Sequence, residues 1–315
     1  MRKTWAKTPL LAFLGLGLAL STNLAQAAIF DRNGNRLPDE DVNSSKVNWE
    51  LLSVGKGKKY NGVGRLENRS DGFCTAFFVD TNGDEQAPAY ALTNGHCYDG
   101  INFPSPQEIL INQPSNLVFK LNYFKDERIR VRPVRVRRVV YATMKGTDVT
   151  ILELATTYKQ LVKEGFTPLK IAEVSPPVGE PVEVVGIPMR GVEPARSFLH
   201  RAGCQIGESV SVREDIYEWE KSIRNRCSVV GGMSGSPIVS LKSNKVVAIA
   251  NTGVDDEAMK QPECSINRPC EVSTDGRVTT FPKENYAQRV SDIPFCFDRK
   301  GIFNLNLLSC RLEKP

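Results

Sequence analysis

The segment Gly231-Gly232-Met233-Ser234-Gly235-Ser236-Pro237 holds a serine between glycines directly before an apolar run, Ile238-Val239-Ser240. Glycines on both sides open backbone torsions closed to other residues and let a second main chain approach, so the Gly232 and Ser234 amides can converge on one point. That arrangement suits an oxyanion hole beside a nucleophile. The same residue types also suit a plain turn between two strands, and the rest of the chain decides between the two readings. A serine hydroxyl is a weak nucleophile until a base takes its proton, and the chain has two histidines, His96 and His200. His96 lies in Ala91-Leu92-Thr93-Asn94-Gly95-His96-Cys97, an apolar strand end running into a polar turn. His200 has no such setting. A carboxylate that fixes the imidazole tautomer is offered by Asp148 in Gly146-Thr147-Asp148-Val149-Thr150-Ile151-Leu152-Glu153-Leu154, at the head of another apolar strand. The candidate catalytic set is therefore His96, Asp148 and Ser234, in that order.

Order separates folds, because the same three side chains recur on unrelated scaffolds in different sequences. An α/β-hydrolase places its histidine after its serine, and here no histidine follows Ser234. The nucleophile elbow G-x-S-x-G also fails, since Ser236 stands where its last glycine belongs. The chain instead resembles the trypsin-like, chymotrypsin-fold serine peptidases: LTNGHC stands for the family's L-T-A-A-H-C, TDVTILEL for its D-I-A-L-L strand and GGMSGSP for its G-D-S-G-G-P. The ending GGMSGSPIV looks closest to the bacterial, glutamyl-endopeptidase-like branch. The resemblance covers roughly residues 60 to 255.

It implies an all-β fold of two six-stranded antiparallel β-barrels with the catalytic cleft between them, and a protein or peptide substrate. By the same resemblance Cys74 pairs with Cys97. The further pairings expected are Cys204 with Cys227, Cys264 with Cys270 and Cys296 with Cys310. Ser228, Val229, Asn251 and Gly253 fall where the family builds its specificity pocket, with Ser228 at the floor; a serine floor carries no charge and favours an uncharged guest. Ala250 stands where glutamate-specific relatives place a histidine, which disfavours acidic specificity. Met233 replaces the aspartate that usually precedes the nucleophile, so the oxyanion hole must be ordered without an ion pair to a new α-amino terminus. A silent homologue that only binds, and an esterase using the same machinery, are the alternative functions.

The elements that must position these residues read as short apolar runs separated by turns from Val63 onward, without helical periodicity, as in a barrel. Thr75 to Val79 and Ala89 to Thr93 flank an Asn82-Gly83 hairpin step. Ile109 to Ile111, Leu117 to Leu121, Ile129 to Tyr141 and Val149 to Leu154 read as further strands, with Arg128, Arg130 and Arg132, and Arg135 with Arg137, on alternating positions of an outer face. Three prolines in Ser175 to Pro181 mark a linker. The expected organisation is a leader at 1–27, an N-terminal extension or propeptide at 28–58, a peptidase domain at 59–290 (barrels at about 59–174 and 178–290), and a disulfide-stapled tail at 291–315.

The leader reading rests on Arg2, Lys3 and Lys7, an apolar run from Leu10 to Leu20 and Ala25-Gln26-Ala27 before Ala28, a pattern too short for a membrane span. Its removal takes three positive charges from a formal balance of +5. A near-neutral chain needs no nucleic-acid partner. The eight cysteines all follow the leader, and an even count in an exported chain argues for disulfides. No C-x-x-C occurs and two histidines cannot populate mixed zinc sites, so no metal and no cofactor is expected. Residues 28 to about 58 read as a propeptide or as a loosely held N-terminal extension wrapping the barrels. The protein is expected to be a secreted or periplasmic monomer without stable membrane insertion.

Overall fold

A computed structural model describes residues 28–31, 33, 35–37, 47–68, 73–99, 102–190 and 192–315; the leader segment lies outside them. Three short strands come first: β1 (Ile29–Phe30), β2 (Arg36–Leu37) and β3 (Glu50–Leu51). The first barrel uses β4 (Val63–Glu67), β5 (Phe73–Phe78), β6 (Pro88–Thr93), β8 (Val118–Leu121), β9 (Arg132–Thr143) and β10 (Val149–Thr157), with β7 (Ile109–Pro114) added along β9. Its antiparallel order is β10-β6-β5-β4-β8-β9, and β9 pairs back onto β10 to close a six-stranded ring. The second barrel uses β11 (Pro181–Gly186), β12 (His200–Glu214), β13 (Tyr217–Asn225), β14 (Pro237–Ser240), β15 (Val246–Gly253) and β18 (Asn285–Arg289). Its order is β11-β14-β15-β18-β13-β12, and β12 pairs with β11 to close a second ring; β16 (Cys270–Val272) and β17 (Val278–Thr279) extend the β12 edge.

Side-chain alternation explains these rings. Along β9, Val134 and Val136 are buried while Arg135 and Arg137 are exposed, the two-residue period of a strand with one face in a core. Phe78, Phe119, Val139 and Leu152 help fill the first barrel, and Val184, Ile223, Ile238 and Ala287 the second. A third cluster joins both, with Leu92 and Ile151 from one barrel, Val185 and Ile249 from the other, and Cys296 and Cys310 from the tail. Each barrel closes on itself, so neither leaves a long bare sheet edge.

Two readings change. Arg128–Arg130 form a single 3-10 turn and β9 begins only at Arg132; Ile129 is 96 % exposed and offers no buried face to hold a strand. The described part of residues 28–58 is packed, not loose. Ala28, Ile29 and Leu52 are fully buried, β3 pairs with β12, and the Trp49 indole N–H donates to the Ser228 carbonyl at 3.0 Å. Apolar residues as sparse as Ile29 and Phe30 show no periodicity, yet two such side chains buried together contribute about 3–6 kcal/mol.

Asn285 anchors this start of the described chain. Its side chain accepts from the Ala28 amide (2.7 Å) and donates to the carbonyls of Ala28 (2.7 Å) and Cys227 (2.8 Å). Asn285→Ala strands buried polar groups on both partners, so an equilibrium unfolding titration should register a loss of at least about 2 kcal/mol. An unfolding midpoint equal to that of the parent would contradict this anchoring.

Candidate active site

His96 stands in a single 3-10 turn, Gly95–Cys97, immediately after β6. Two constraints aim it. Cys97 is joined to Cys74 on β5, and the Asn94 side-chain Nδ2 donates to the Asp148 carbonyl at 3.0 Å. Gly95 is required by close approach: a Cβ there would come within 2.1 Å of the Thr143 carbonyl oxygen and 2.7 Å of Asp148 Oδ1. Asp148 immediately precedes β10, after a turn at Gly146, whose φ is +66°. Its carboxylate is fully buried and holds His96 twice, Oδ1 accepting the backbone N–H at 2.9 Å and Oδ2 facing ring Nδ1 at 2.7 Å. Burial alone would lower the His96 pKa, but the Asp148 charge and hydrogen bond outweigh it and the net shift is upward. The other ring nitrogen, Nε2, is buried and makes no hydrogen bond among the described residues.

Ser234 is buried at the turn before β14. The turn is held by backbone bonds: Met233 N–H to Val230 O (2.9 Å), Ser236 N–H to Met233 O (3.0 Å) and Gly235 N–H to Ala250 O on β15 (3.0 Å). Thr75 on β5 clamps it to the first barrel. The Thr75 amide donates to the Ser234 carbonyl (2.9 Å), and its hydroxyl donates to the Gly232 carbonyl (3.0 Å) while accepting from Ile187 N–H (3.0 Å). Thr93, three residues before His96, donates its hydroxyl to the Thr75 carbonyl at 2.8 Å. Gly235, at φ +81°, passes so close that a Cβ would meet Thr93 Oγ1 at 2.2 Å. The serine turn is thus stitched to the strand ends from which His96 emerges.

The peptide between Gly231 and Gly232 is oriented by a backbone hydrogen bond. The Gly231 carbonyl accepts from the Met189 amide at 2.8 Å, and in a planar trans peptide the Gly232 N–H then points the opposite way. Gly232 has φ +93°, a torsion that favours glycine. Met233 is fully buried in the second-barrel core. The Ala28 amide, as described above, meets the uncharged Asn285.

Among the remaining expected residues, Ser228 is engaged elsewhere, its hydroxyl accepting from Phe30 N–H (3.0 Å) and donating to Phe30 O (3.1 Å). Val229 is buried in the second core. Asn251 is 4 % exposed with an unpartnered Nδ2, and Gly253 pairs with Asn285 across β15 and β18. His200 lies apart from this group: its Nδ1 faces the Phe198 carbonyl at 2.8 Å, its ring packs on Trp49, and burial pushes its pKa down to about 4. The other bridges are Cys204–Cys227, Cys264–Cys270 and Cys296–Cys310. Cys74, Cys97 and His96 cluster closely, but both sulfurs are consumed in the bridge and hold no ion as thiolates. Thr75, Thr93 and Asn285 went unread in the sequence; a threonine buried in an otherwise apolar strand is the only trace that Thr75 left.

A family model of the trypsin-like peptidase domain matches residues 74–249, more than half of the chain. The chain belongs to the trypsin-like peptidase family. It is a serine endopeptidase, whose substrates are proteins or peptides. No curated protein matches it in sequence. Solved structures similar to this peptidase include mouse neuropsin (14 % identity, TM-score 0.47, covering 77 % of this chain and 94 % of that one). A Glu endopeptidase (14 %, 0.44, 77 % and 90 %) and the MamO protease domain of Magnetospirillum magneticum (15 %, 0.44, 73 % and 92 %) are further examples. The peptidase's disulfides are consistent with an extracellular location, and among the described residues no helix is long and apolar enough to cross a membrane.

Proposed function

We propose that this peptidase is exported and cleaves peptide bonds through Ser234, His96 and Asp148 by way of an acyl-enzyme. Ser234 Oγ attacks the scissile carbonyl while His96 Nε2 takes its proton. His96 then delivers that proton to the leaving amine, and the same base activates the water that releases the acyl group. Asp148 keeps the Nδ1 proton in place and stabilises the imidazolium. The Gly232 and Ser234 amides donate to the developing oxyanion. The observation that carries this reading is the doubly held His96–Asp148 pair, which leaves Nε2 as the one ring nitrogen able to act.

Substrate pairs along β15 by strand addition. Beyond Ala250 this strand has β18 on one side only, because β14 leaves it at Pro237. The test is incubation of the purified protein with an unfolded protein substrate and sequencing of the new termini, beside an ester of matched acyl group. New peptide termini that are lost in Ser234→Ala support the endopeptidase. Ester turnover without peptide cleavage would favour the esterase.

The acid limb of the rate profile follows from the His96 shift. Protonated His96 cannot accept the serine proton, and its pKa is raised, so kcat/KM should fall on acidification with a midpoint above the ordinary histidine value of about 6.5. A rate flat between about pH 8 and pH 5 would remove His96 from the role of base.

A further inference from the structure

Five glutamates are buried among the described residues: Glu153, Glu180, Glu183, Glu214 and Glu271. Four have a cationic partner, Glu153 with Arg138 (2.7 Å), Glu180 with Lys242 (3.1 Å), Glu183 with Lys59 (3.0 Å) and Glu271 with Arg224. Glu214 has none. It ends β12, at the tip of the β12–β13 hairpin, and is 6 % exposed. The hairpin crosses to the first barrel, where the Tyr217 hydroxyl donates to the Pro104 carbonyl and the Trp219 indole N–H to the Met144 carbonyl, both at 3.1 Å.

This places the Glu214 carboxyl beside the catalytic pair, within charge range of His96 and Asp148, and beside Thr252 on β15. Oε1 accepts from the Asn267 N–H at 2.6 Å, and the Thr252 hydroxyl lies beside the carboxyl. Asn251 Nδ2, on the substrate-facing stretch of β15, is buried without a hydrogen-bond partner among the described residues. Burying a carboxylate without a counter-ion costs several kcal/mol, and burial pushes this carboxyl up to about 7. A buried acid without a counter-ion beside such a pair is a candidate site group.

We infer that Glu214 is a specificity-determining residue that receives a lysine or arginine side chain carried by the substrate on the acyl side of the scissile bond. The inference rests on the proposed reading of the cleft, with substrate along Asn251 to Gly253 and the attacked carbonyl at Ser234. A substrate running along that edge passes between β15 and His96, and the carboxyl facing both is Glu214. A cation there gains a charge-assisted hydrogen bond in a site shielded from water, and it supplies the partner that the other four buried glutamates find within the chain.

The test uses peptides that carry lysine or the neutral norleucine at each of the three positions ahead of the cleaved bond, with kcat/KM measured at pH 8 for the parent and for Glu214→Gln. The ratio of lysine to norleucine within one protein is the readout, since it cancels any loss of folded fraction. At one position the parent should favour lysine by on the order of tenfold or more, and Glu214→Gln should bring the ratio to within about twofold. The same preference should appear in equilibrium binding of the peptides to Ser234→Ala, which separates this inference from the catalytic reading, because binding needs no turnover. In the parent the ratio should also fall between about pH 8.5 and pH 6 as Glu214 takes a proton. The charged groups facing it are His96 and Asp148, and His96 protonation affects both peptides alike. No preference for lysine at any of the three positions, or an equal preference in Glu214→Gln, would overturn the assignment.

Discussion

Replacing Ser234 by alanine is expected to lower kcat/KM by roughly 10⁴- to 10⁶-fold without unfolding the protein. The size follows from what is lost. Without Oγ no acyl-enzyme forms, and only binding and the oxyanion donors remain to favour attack by water. The fold survives because the turn is not held by that oxygen. Its anchors are backbone groups and Thr75: the Ser234 carbonyl on the Thr75 amide, the Gly232 carbonyl on the Thr75 hydroxyl, and the Gly235 amide on the Ala250 carbonyl. All three persist in the variant. Steady-state rates beside thermal melts would check both halves, with Tm expected to move by no more than about 2 °C. Turnover comparable with the parent, from a preparation free of contaminating peptidase, would remove Ser234 from the mechanism.

Asp148→Asn should cost about 10⁴-fold in kcat, close in size to loss of the serine, by way of a proton in the wrong place. Asp148 now accepts twice, from the His96 amide through Oδ1 and at ring Nδ1 through Oδ2. An asparagine can keep only one acceptor. With its oxygen on the backbone amide, its NH2 faces Nδ1 and drives the imidazole proton onto Nε2, the atom that must accept from Ser234. Because the defect concerns a proton transfer made in the transition state, kcat and kcat/KM should fall together with little change in KM. A loss below about tenfold would indicate that another group sets the His96 tautomer.

The candidate catalytic set was legible because each member sits in a dense local signal. Glycines crowd Ser234, the β9–β10 hairpin brings Asp148 to the head of an apolar strand, and His96 ends another beside Cys97. The first barrel was legible from the spacing of short apolar runs and the second through the family resemblance, while β18 was faint, since Asn-Tyr-Ala-Gln-Arg alternates weakly. What stayed hidden depends on contacts between distant parts of the chain. Thr75 and Thr93 are ordinary strand threonines until the second barrel's serine turn is laid on them. Ser228 was read at a pocket floor by its place before the nucleophile, and no local pattern announces that Phe30, 198 residues earlier, takes its hydroxyl. Glu214 is one acid among 36 acidic residues, and only folding leaves it buried without a cation. The Met233 departure was also legible, and the Met189 amide takes the Gly231 carbonyl beside it.

Reaction of the purified, folded protein with a serine-directed fluorophosphonate, followed by peptide mapping of the adduct, tests whether Ser234 is the nucleophile. The phosphonyl group is taken up only by a hydroxyl that a neighbouring base has activated. One label per chain is expected, on Ser234, lost in His96→Ala and suppressed at pH values where His96 is protonated. Label on another residue, or a folded protein that takes none at alkaline pH, would contradict it.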